Sequence, residues 1–348
     1  MNGYERMLAT LNKERVDYTP SAEIFFDETV IKAFTGTNNY HDLVELFDLD
    51  AVVANTPSKL YRKKAIDAGK GIFENEWGTV RQEGKETVSA VIDYPIKSVK
   101  DVYSYKAPDP LDEYRFRDLT KLLERFKNKR LVGIHVHDVF NYPWYLMGMD
   151  NLFLAMYEEP EAVHKLVDIS VEHNMALARK GISLGADFVL IGDDYGGGNQ
   201  SLFSPETFRE FFLPGLKKLV GSFKEQGAYC FKHCCGNLYA ILDDLVSTGI
   251  DVLHPLDPSA GMDIMQVKED YPDLVVMGGI NCFEPLCSYS LFDICEETRH
   301  MIETIGKNGR YIIASSNSIH SGVKPENYLA MNYIRKSIPV IYEGLEEL

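Results

Sequence analysis

The sequence predicts an α/β fold of the (β/α)8 TIM barrel class, and three observations support this prediction. Short segments with strand character alternate eight times with amphipathic helical segments. The strand segments are apolar almost throughout, as parallel strands buried on both faces are. The 348 residues contain no stretch that resembles a linker between domains. We therefore expect one barrel domain over residues 1–348.

The N-terminal half supplies four of the predicted strands and one insertion. The strands are predicted at residues 21–26, 50–54, 131–135 and 187–192. The helices are predicted at residues 4–11, 43–47, 119–126 and 152–184. Alternating runs at 71–77 and 80–91, separated by Gly78-Thr79, predict an antiparallel ribbon that extends over one end of the barrel.

The C-terminal half continues the alternation. Ser204 as N-cap and Pro205 in the first turn predict a helix that continues to about residue 225. The remaining strands are predicted at residues 228–232, 251–254, 274–277 and 311–314. The remaining helices are predicted at residues 238–247, 265–269, 294–305 and 325–338.

The charge and the termini narrow the function classes. A net charge of −16 and a pI near 5.0 argue against nucleic acid and anionic membranes as partners. The N-terminus lacks the pattern of a signal peptide, and no apolar run is long enough to span a bilayer. We expect a cytoplasmic protein with reduced cysteines.

Polar residues suited to catalysis follow most of the predicted strands. In a parallel barrel these positions converge at one end, where active sites lie. The residues are Glu23, His135, His137, Asp138, Asp193, Asp194, His233, Cys235, His254, Asn281, Cys282 and residues 317–320. Their convergence predicts an enzyme.

His233 and Cys235 are the strongest metal candidates. Alternation along a strand directs both side chains to one face, and Gly236 lets the backbone turn away. An imidazole and a thiol are two of the three protein ligands that a catalytic zinc ion needs, and Cys282, Ser318 or His320 could supply the third. The alternative is a buried cysteine beside a histidine bonded to the backbone.

Other strand-end residues are predicted to contact substrate. Asp193, Asp194 and His254 are predicted to be catalytic. Asp193 or Asp194 would orient substrate or serve the proton balance. The two aspartates could also ligate metal, orient a histidine or cap loops, and His254 is either an inward-facing substrate contact or a packed side chain. Segment 142–149 is heavily aromatic, so Tyr142 and Trp144 cover an apolar substrate or flat cofactor, or form a core wedge. Glu23, His135, Asn281 and His320 complete the predicted substrate site.

Several motifs together resemble the uroporphyrinogen decarboxylase superfamily, which also contains zinc-dependent corrinoid methyltransferases. They lie at residues 5–9, 15–20, 75–79, 204–211, 233–237 and 323–328. The decarboxylases carry an arginine-rich segment after the first strand for the substrate's carboxylates. Here residues 23–28 are acidic and apolar, and we expect few basic residues at the barrel mouth. The resemblance therefore favours the methyltransferase branch.

That branch implies a zinc site made of a His-x-Cys pair and a distant cysteine. His233 and Cys235 match the pair, but no cysteine occurs near Asn317-Ser318, where the third is expected. His320, Asp194, Glu210 or Cys282 would have to substitute. A mixed nitrogen, sulfur and oxygen site would be a stronger Lewis acid, suited to polarising a methoxy or hydroxyl oxygen.

The resulting hypothesis is a zinc-dependent methyltransferase that moves a methyl group between a small substrate and a corrinoid. The chain has no Asp-x-His-x-x-Gly cobalamin motif, so a separate corrinoid protein would dock over the rim formed by segments 71–91 and 142–149. Two alternatives remain. One is a metal-independent decarboxylase, which would need basic residues at the mouth. The other is a non-catalytic binding barrel.

Overall fold

The main sheet confirms the predicted parallel α/β architecture and contains seven strands. The computed structural model describes residues 1–84 and 89–342. All neighbouring strands of this sheet are parallel, and they follow one another across it in chain order. They are Ala51–Ala54, Leu131–Val136, Phe188–Gly192, Tyr229–His233, Val252–His254, Val275–Ile280 and Tyr311–Ser315. The sheet is curled as in TIM-like folds.

The predicted first strand, residues 21–26, is wrong as a strand. This segment makes only isolated bridges, from Ser21 to Ile313 in the last strand and from Phe26 to Ile319 in the loop after it. On its other side the Asp50 amide donates to the Ser21 carbonyl. Pro20 has no amide hydrogen, and the Ser21 amide donates to the Asp50 side chain at 2.8 Å. Neither Pro20 nor Ser21 therefore donates a backbone hydrogen bond to a neighbouring strand.

Helices accompany the strands along the chain. Those of seven or more residues are Gly3–Leu11, Glu28–Thr35, Tyr40–Phe47, Arg117–Phe126, Asn141–Met147, Met149–Glu158, Pro160–Leu184, Pro205–Phe211, Leu213–Lys224, Ile264–Asp270, Leu291–Thr304 and Pro325–Ser337. The helix predicted over 205–225 is two helices, because Pro214 cannot donate to a carbonyl in the preceding turn. Residues 238–247 form only the short segments Tyr239–Ile241 and Leu242–Val246.

The inside of the curled sheet is filled with side chains. Phe188, Leu190, Phe231, Val275 and Met277 pack together there and are nearly inaccessible to solvent. They leave a cavity of only about 20 Å³, which is too small for a substrate. Any chemistry must therefore occur at the carboxyl ends of the strands.

The predicted ribbon is present as four short antiparallel strands. They are Lys64–Asp67, Ile72–Glu74, Val80–Gln82 and Ala90–Asp93. Residues 85–88 of the predicted run lie outside the described residues. Trp77 of this ribbon stacks on Tyr142 with 3.8 Å between ring centroids, so the ribbon folds over the strand ends. Within the described residues, no helix is both long and apolar enough to cross a membrane.

Candidate metal centre and adjoining cavity

Three ligand-type side chains meet at the ends of two neighbouring strands. His233 ends its strand beside Gly192, and Cys235 and Asp194 each lie two residues beyond that pair. The Cys235 Sγ lies 3.3 Å from His233 Nε2, which lies 3.7 Å from Asp194 Oδ1. One ligand atom from each residue lies within 4.8 Å of the others. Nitrogen, sulfur and oxygen donors are thus placed within reach of one ion.

A hydrogen-bond chain fixes which nitrogen of His233 is free. His254 Nε2 lies 3.0 Å from the Ser315 carbonyl oxygen, which can only accept a hydrogen bond. Burial, together with His233, holds the pKa of His254 well below its usual range, so its Nδ1 carries a lone pair. His233 Nδ1 must then donate to His254 Nδ1, at 2.9 Å. Burial also lowers the pKa of His233. Its Nε2 therefore presents a lone pair toward Cys235, as a metal ligand does.

The Cys235 thiol is held between two polar neighbours. The backbone amide of Cys235 donates to Asp194 Oδ1 at 2.7 Å, and Asn317 Nδ2 donates to the Cys235 sulfur at 3.3 Å. Burial and the Asp194 carboxylate raise the pKa of Cys235 well above its usual range. Gly236 adopts φ 86°, and a Cβ there would lie 2.4 Å from the Gly196 backbone. Only glycine fits, because a side chain would separate the loops that carry Cys235 and Asp194.

The two adjacent aspartates have different surroundings. Asp193 is fully buried, and its Oδ2 accepts from the amides of Phe140 and Asn141 at 2.7 and 2.9 Å. Its Oδ1 lies 3.2 Å from His137 Nδ1. Asp194, by contrast, has a side chain that is 53% exposed. Asp193 thus anchors the start of the helix Asn141–Met147, while Asp194 remains accessible.

A buried ion pair supports this anchor from behind. Lys232 Nζ donates to Asp138 Oδ2 at 2.5 Å and to the Asp193 carbonyl at 2.6 Å, and all three side chains are inaccessible to solvent. Cys234 lies on the same outer side, where its sulfur accepts from the Tyr195 amide at 3.2 Å. The alternation along this strand therefore separates a supporting layer from the ligand layer.

The structure places the other predicted third ligands away from this group. Glu210 is exposed on the helix Pro205–Phe211. Cys282 Sγ accepts from Ser316 Oγ at 3.6 Å, and His320 Nε2 lies 3.1 Å from the Cys282 carbonyl. Within residues 1–84 and 89–342, the only group of three or more such ligand atoms within 4.8 Å is Asp194, His233 and Cys235.

A cavity of about 440 Å³ opens beside the cluster. The ribbon, the loop after Ala51–Ala54 and the aromatic helix Asn141–Met147 enclose it. Its lining includes Trp77, Arg81, Arg115, His135, His137, Tyr142 and Tyr145. A Cβ at Gly192 would lie 3.1 Å from His135 Nε2 and 3.9 Å from His233 Cβ. Gly192 therefore lies between the cavity, which His135 lines, and the metal-ligand cluster, which contains His233.

Only part of the predicted substrate site lines this cavity. His135 and Tyr142 do, and burial together with His137 and His233 lowers the pKa of His135 to about 3. Trp144, Asn281 and His320 are not among the described lining residues. Trp144 donates to Asn141 Oδ1, and the Asn281 side chain accepts from the Phe283 and Glu284 amides. Glu23 borders the small interior cavity instead, where Ser315 binds its carboxylate.

The two arginines at the mouth, Arg81 and Arg115, were missed from the sequence. Arg115 forms a bidentate ion pair with Glu76 at 2.9 and 2.7 Å. Arg81 is 7% exposed and donates to Ser89. Both lie in segments that approach the site only through tertiary packing. Their positions relative to the predicted strand ends therefore did not indicate that they line the cavity. The Asn75-Glu76-Trp77-Gly78-Thr79 motif was the one available indication.

Comparison with known proteins decides the family. The sequence profile described as Uroporphyrinogen decarboxylase (URO-D) matches residues 79–337. The chain belongs to the URO-D family. Curated relatives of this family member include both decarboxylases and methyltransferases. It is 27% identical over 253 residues to a uroporphyrinogen decarboxylase from Aeromonas salmonicida, covering 67% of this chain and 66% of that protein.

The methyltransferase relatives have a sequence identity to this chain comparable to that of the decarboxylases. The chain is 24% identical over 210 residues to a methylated-thiol–coenzyme M methyltransferase from Methanosarcina mazei, covering 60% of this chain and 54% of that protein. The matched region thus spans about half to two thirds of these relatives' lengths. A solved methyltransferase from Methanosarcina mazei superposes with a TM-score of 0.78 at 18% identity, covering 97% of this chain and 99% of that one. This likeness shows the shared fold.

Proposed function

We propose that this URO-D family member is a zinc-dependent methyltransferase of a corrinoid-linked system. It would move a methyl group between a small methylated substrate, for example a methoxy compound, or an acceptor and a corrinoid protein. The observation that carries the proposal is the cluster of His233, Cys235 and Asp194 beside an enclosed cavity. The methyltransferases among its relatives support it.

The donor set of the cluster fits zinc. His233 Nε2, Cys235 Sγ and Asp194 Oδ1 would hold the ion, since imidazole, thiolate and carboxylate are its usual ligands and three leave one position open. Bound zinc supplies a Lewis acid that polarises the oxygen or sulfur carrying the methyl group. The resemblance to the methyltransferase branch implies a third ligand cysteine near Asn317, and without it one thiolate fewer would be present. The proton of the Cys235 thiol would leave on binding.

The remaining residues would bind and orient the substrate. His254 holds His233 in its ligand tautomer, and Asp193 anchors the helix that carries Tyr142. The stacked rings of Trp77 and Tyr142 form an apolar wall of the cavity. His135 is neutral at pH 7 because of its low pKa and can bond a substrate oxygen without adding charge.

A separate corrinoid protein would present cobalamin at this mouth. The ribbon and the helix Asn141–Met147 meet through Trp77 and Tyr142, which gives the rim proposed for docking. In this proposal the segment 21–26, which makes isolated bridges to Ile313 and Ile319, would stand in for an eighth strand of the barrel.

Zinc content and cob(I)alamin methylation test the proposal together. We expect about one zinc per chain in the purified protein, with zinc lost in Cys235→Ala. We expect the cob(I)alamin spectrum to change to that of methylcob(III)alamin with at least one donor among methoxy-aromatics, methanol and methylthiols. Zinc below half an equivalent, or zinc unaffected by Cys235→Ala, would contradict the metal assignment.

A metal-independent decarboxylase is the second candidate, because two arginines line the cavity. A substrate with many carboxylates would need several unpaired cations, but Glu76 already neutralises Arg115. One remaining arginine is too few for a polycarboxylate. The two candidates differ in one measurement: chelator-treated protein would keep full activity as a decarboxylase and lose it as the methyltransferase.

A further inference from the structure

Two arginines line the cavity in different electrostatic states. Arg115 meets both carboxylate oxygens of Glu76, and its side chain is 5% exposed. Arg81 is nearly as buried, at 7% exposed, but its partners are neutral. Its Nε donates to Ser89 Oγ at 2.9 Å and one Nη donates to the Ser89 carbonyl at 2.8 Å. Among the residues that the structure describes, only the Arg115 charge is therefore compensated by an acidic side chain.

Arg81 has no acidic partner in the part of the chain that the structure describes. No ion pair to it occurs within residues 1–84 and 89–342, and its guanidinium lies 5.0 Å from the ring centroid of Tyr145. Arginine cannot shed its proton in a protein. A buried charge without a counterion is costly, and a bound anion would remove most of that cost. The bonds to Ser89 fix the guanidinium without neutralising it.

The walls around Arg81 are mostly rings. Tyr61, Trp77, His135, His137, Tyr142 and Tyr145 all line the same cavity. Tyr142 makes edge contacts with His137 and Tyr145, at 5.0 and 6.3 Å between centroids. Such walls favour a flat, apolar ligand body. A cavity of about 440 Å³ is within the usual range for small-molecule sites.

The charge of the ligand follows from counting the compensated groups. Among the described lining residues with a fixed charge, Glu76 and Arg115 cancel each other and Arg81 contributes one positive charge. One carboxylate can pair with one guanidinium through two parallel hydrogen bonds. A second carboxylate on the ligand would find no free cation among the described lining residues and would face Glu76.

We propose that this cavity binds a small aromatic monocarboxylate, with its carboxylate on Arg81 and its ring among the aromatic walls. This inference rests on the proposed function in one respect, because it names the substrate class of the proposed methyltransferase site. His135 lines the same cavity, and Gly192 lies between His135 and the cluster. Arg81 is accordingly a residue that determines substrate specificity.

Calorimetric titration of the full-length protein with benzoate and benzamide tests the proposal. The two probes share a ring and differ in charge. We expect benzoate to bind at least 10-fold more tightly, and Arg81→Gln to weaken benzoate roughly 10- to 100-fold while leaving benzamide nearly unchanged. Arg81→Lys should retain part of the preference, because it keeps the charge and loses the fork. Arg299→Gln, on an exposed helix face, controls for net charge.

The outcomes separate this inference from the methyltransferase proposal. Equal affinity for benzoate and benzamide, no benzoate binding to the unaltered protein, or benzoate binding unchanged in Arg81→Gln would each overturn the carboxylate site. Cyclohexanecarboxylate binding as tightly as benzoate would overturn the aromatic part. Benzoate binding that persists in Cys235→Ala, where zinc is lost, supports the site independently of the metal. If Arg81→Gln fails to fold, Arg81→Lys and the two probes still decide.

Discussion

The metal-ligand cluster and the cavity beside it are neighbours that are built in different ways. Strand pairing places the cluster: Gly192, His233 and His254 lie side by side on three adjacent strands. Long-range packing makes the cavity, through the stack of Trp77 on Tyr142 and the pair of Arg115 with Glu76. Residues in the cluster are therefore fixed by register, whereas the cavity depends on how the ribbon folds over the strand ends.

Proposed metal ligands and the buried residues that support them can be distinguished by their hydrogen bonds. Hydrogen bonds occupy only part of the metal-ligating capacity of the Asp194 and Cys235 side chains. The Asp193 carboxylate and the Cys234 sulfur instead accept hydrogen bonds from buried backbone amides. Matched substitutions within these adjacent pairs should therefore separate metal affinity from folding stability.

The largest expected effect is in the cysteine pair. Cys235→Ala should lower zinc affinity more than 100-fold, because it removes the only thiolate in the proposed set. Cys234→Ala should keep zinc and lower the free energy of unfolding by about 1 kcal/mol, because it leaves a small void and an unpaired Tyr195 amide. Competition titration with a chromogenic chelator measures affinity, and urea unfolding measures stability. Equal zinc loss in both variants would refute the distinction.

The aspartate pair should show the next largest effect. Asp194→Asn should weaken zinc roughly 10- to 100-fold with little change in Tm, since its side chain is half exposed. Asp193→Asn should instead cost roughly 1–3 kcal/mol of stability, because one of its buried amide or histidine partners becomes unsatisfied. The same two assays apply. Zinc binding unaffected by Asp194→Asn would exclude this carboxylate as the third ligand.

His254 should act through His233 alone. His254→Phe removes the acceptor for His233 Nδ1–H, so we expect zinc affinity to fall about 10-fold through loss of the fixed tautomer. His254→Gln offers an acceptor oxygen in the same direction and should recover part of it. NMR of labelled histidine would show the tautomer change at His233, which a packing defect would not produce. Identical zinc affinity in His254→Phe would contradict this role.

Glu23, in the interior below the cluster, should give the smallest effect on the metal site and should instead show in the pH dependence of stability. Burial raises its pKa to about 8, although the amide and hydroxyl of Ser315 donate to the carboxylate. The unfolded chain titrates near 4.5, so between these values the folded state holds a proton that the unfolded state lacks. This contribution to stability is complete below about pH 4.5 and is lost as the pH rises through about 8.

Glu23→Gln should therefore flatten the fall in unfolding free energy across this range, by at most about 1.4 kcal/mol per pH unit. Tyr40 and Tyr328 face the same carboxyl and keep their protons over this range, because burial raises the pKa of each. Urea unfolding at several pH values measures the slope. An unchanged slope would show that Glu23 ionises normally.

Sequence periodicity located most of what strand register controls. Seven of the eight predicted strands are present, and His233 and Cys235 face one side while Cys234 faces the other. It failed at residues 21–26, where side-chain capping by Asp50 replaces a ladder. It also failed for Arg81 and Arg115, because a ribbon's position over the mouth is decided by contacts between residues far apart in the chain.

X-ray absorption spectroscopy of the zinc-loaded protein measures the zinc ligand set itself. We predict one sulfur scatterer at about 2.3 Å and nitrogen or oxygen for the remaining ligands at about 2.0–2.2 Å. The Cys235→Ala variant should lose the sulfur signal. Two sulfur scatterers, or none, would contradict a site made of His233, Cys235 and Asp194.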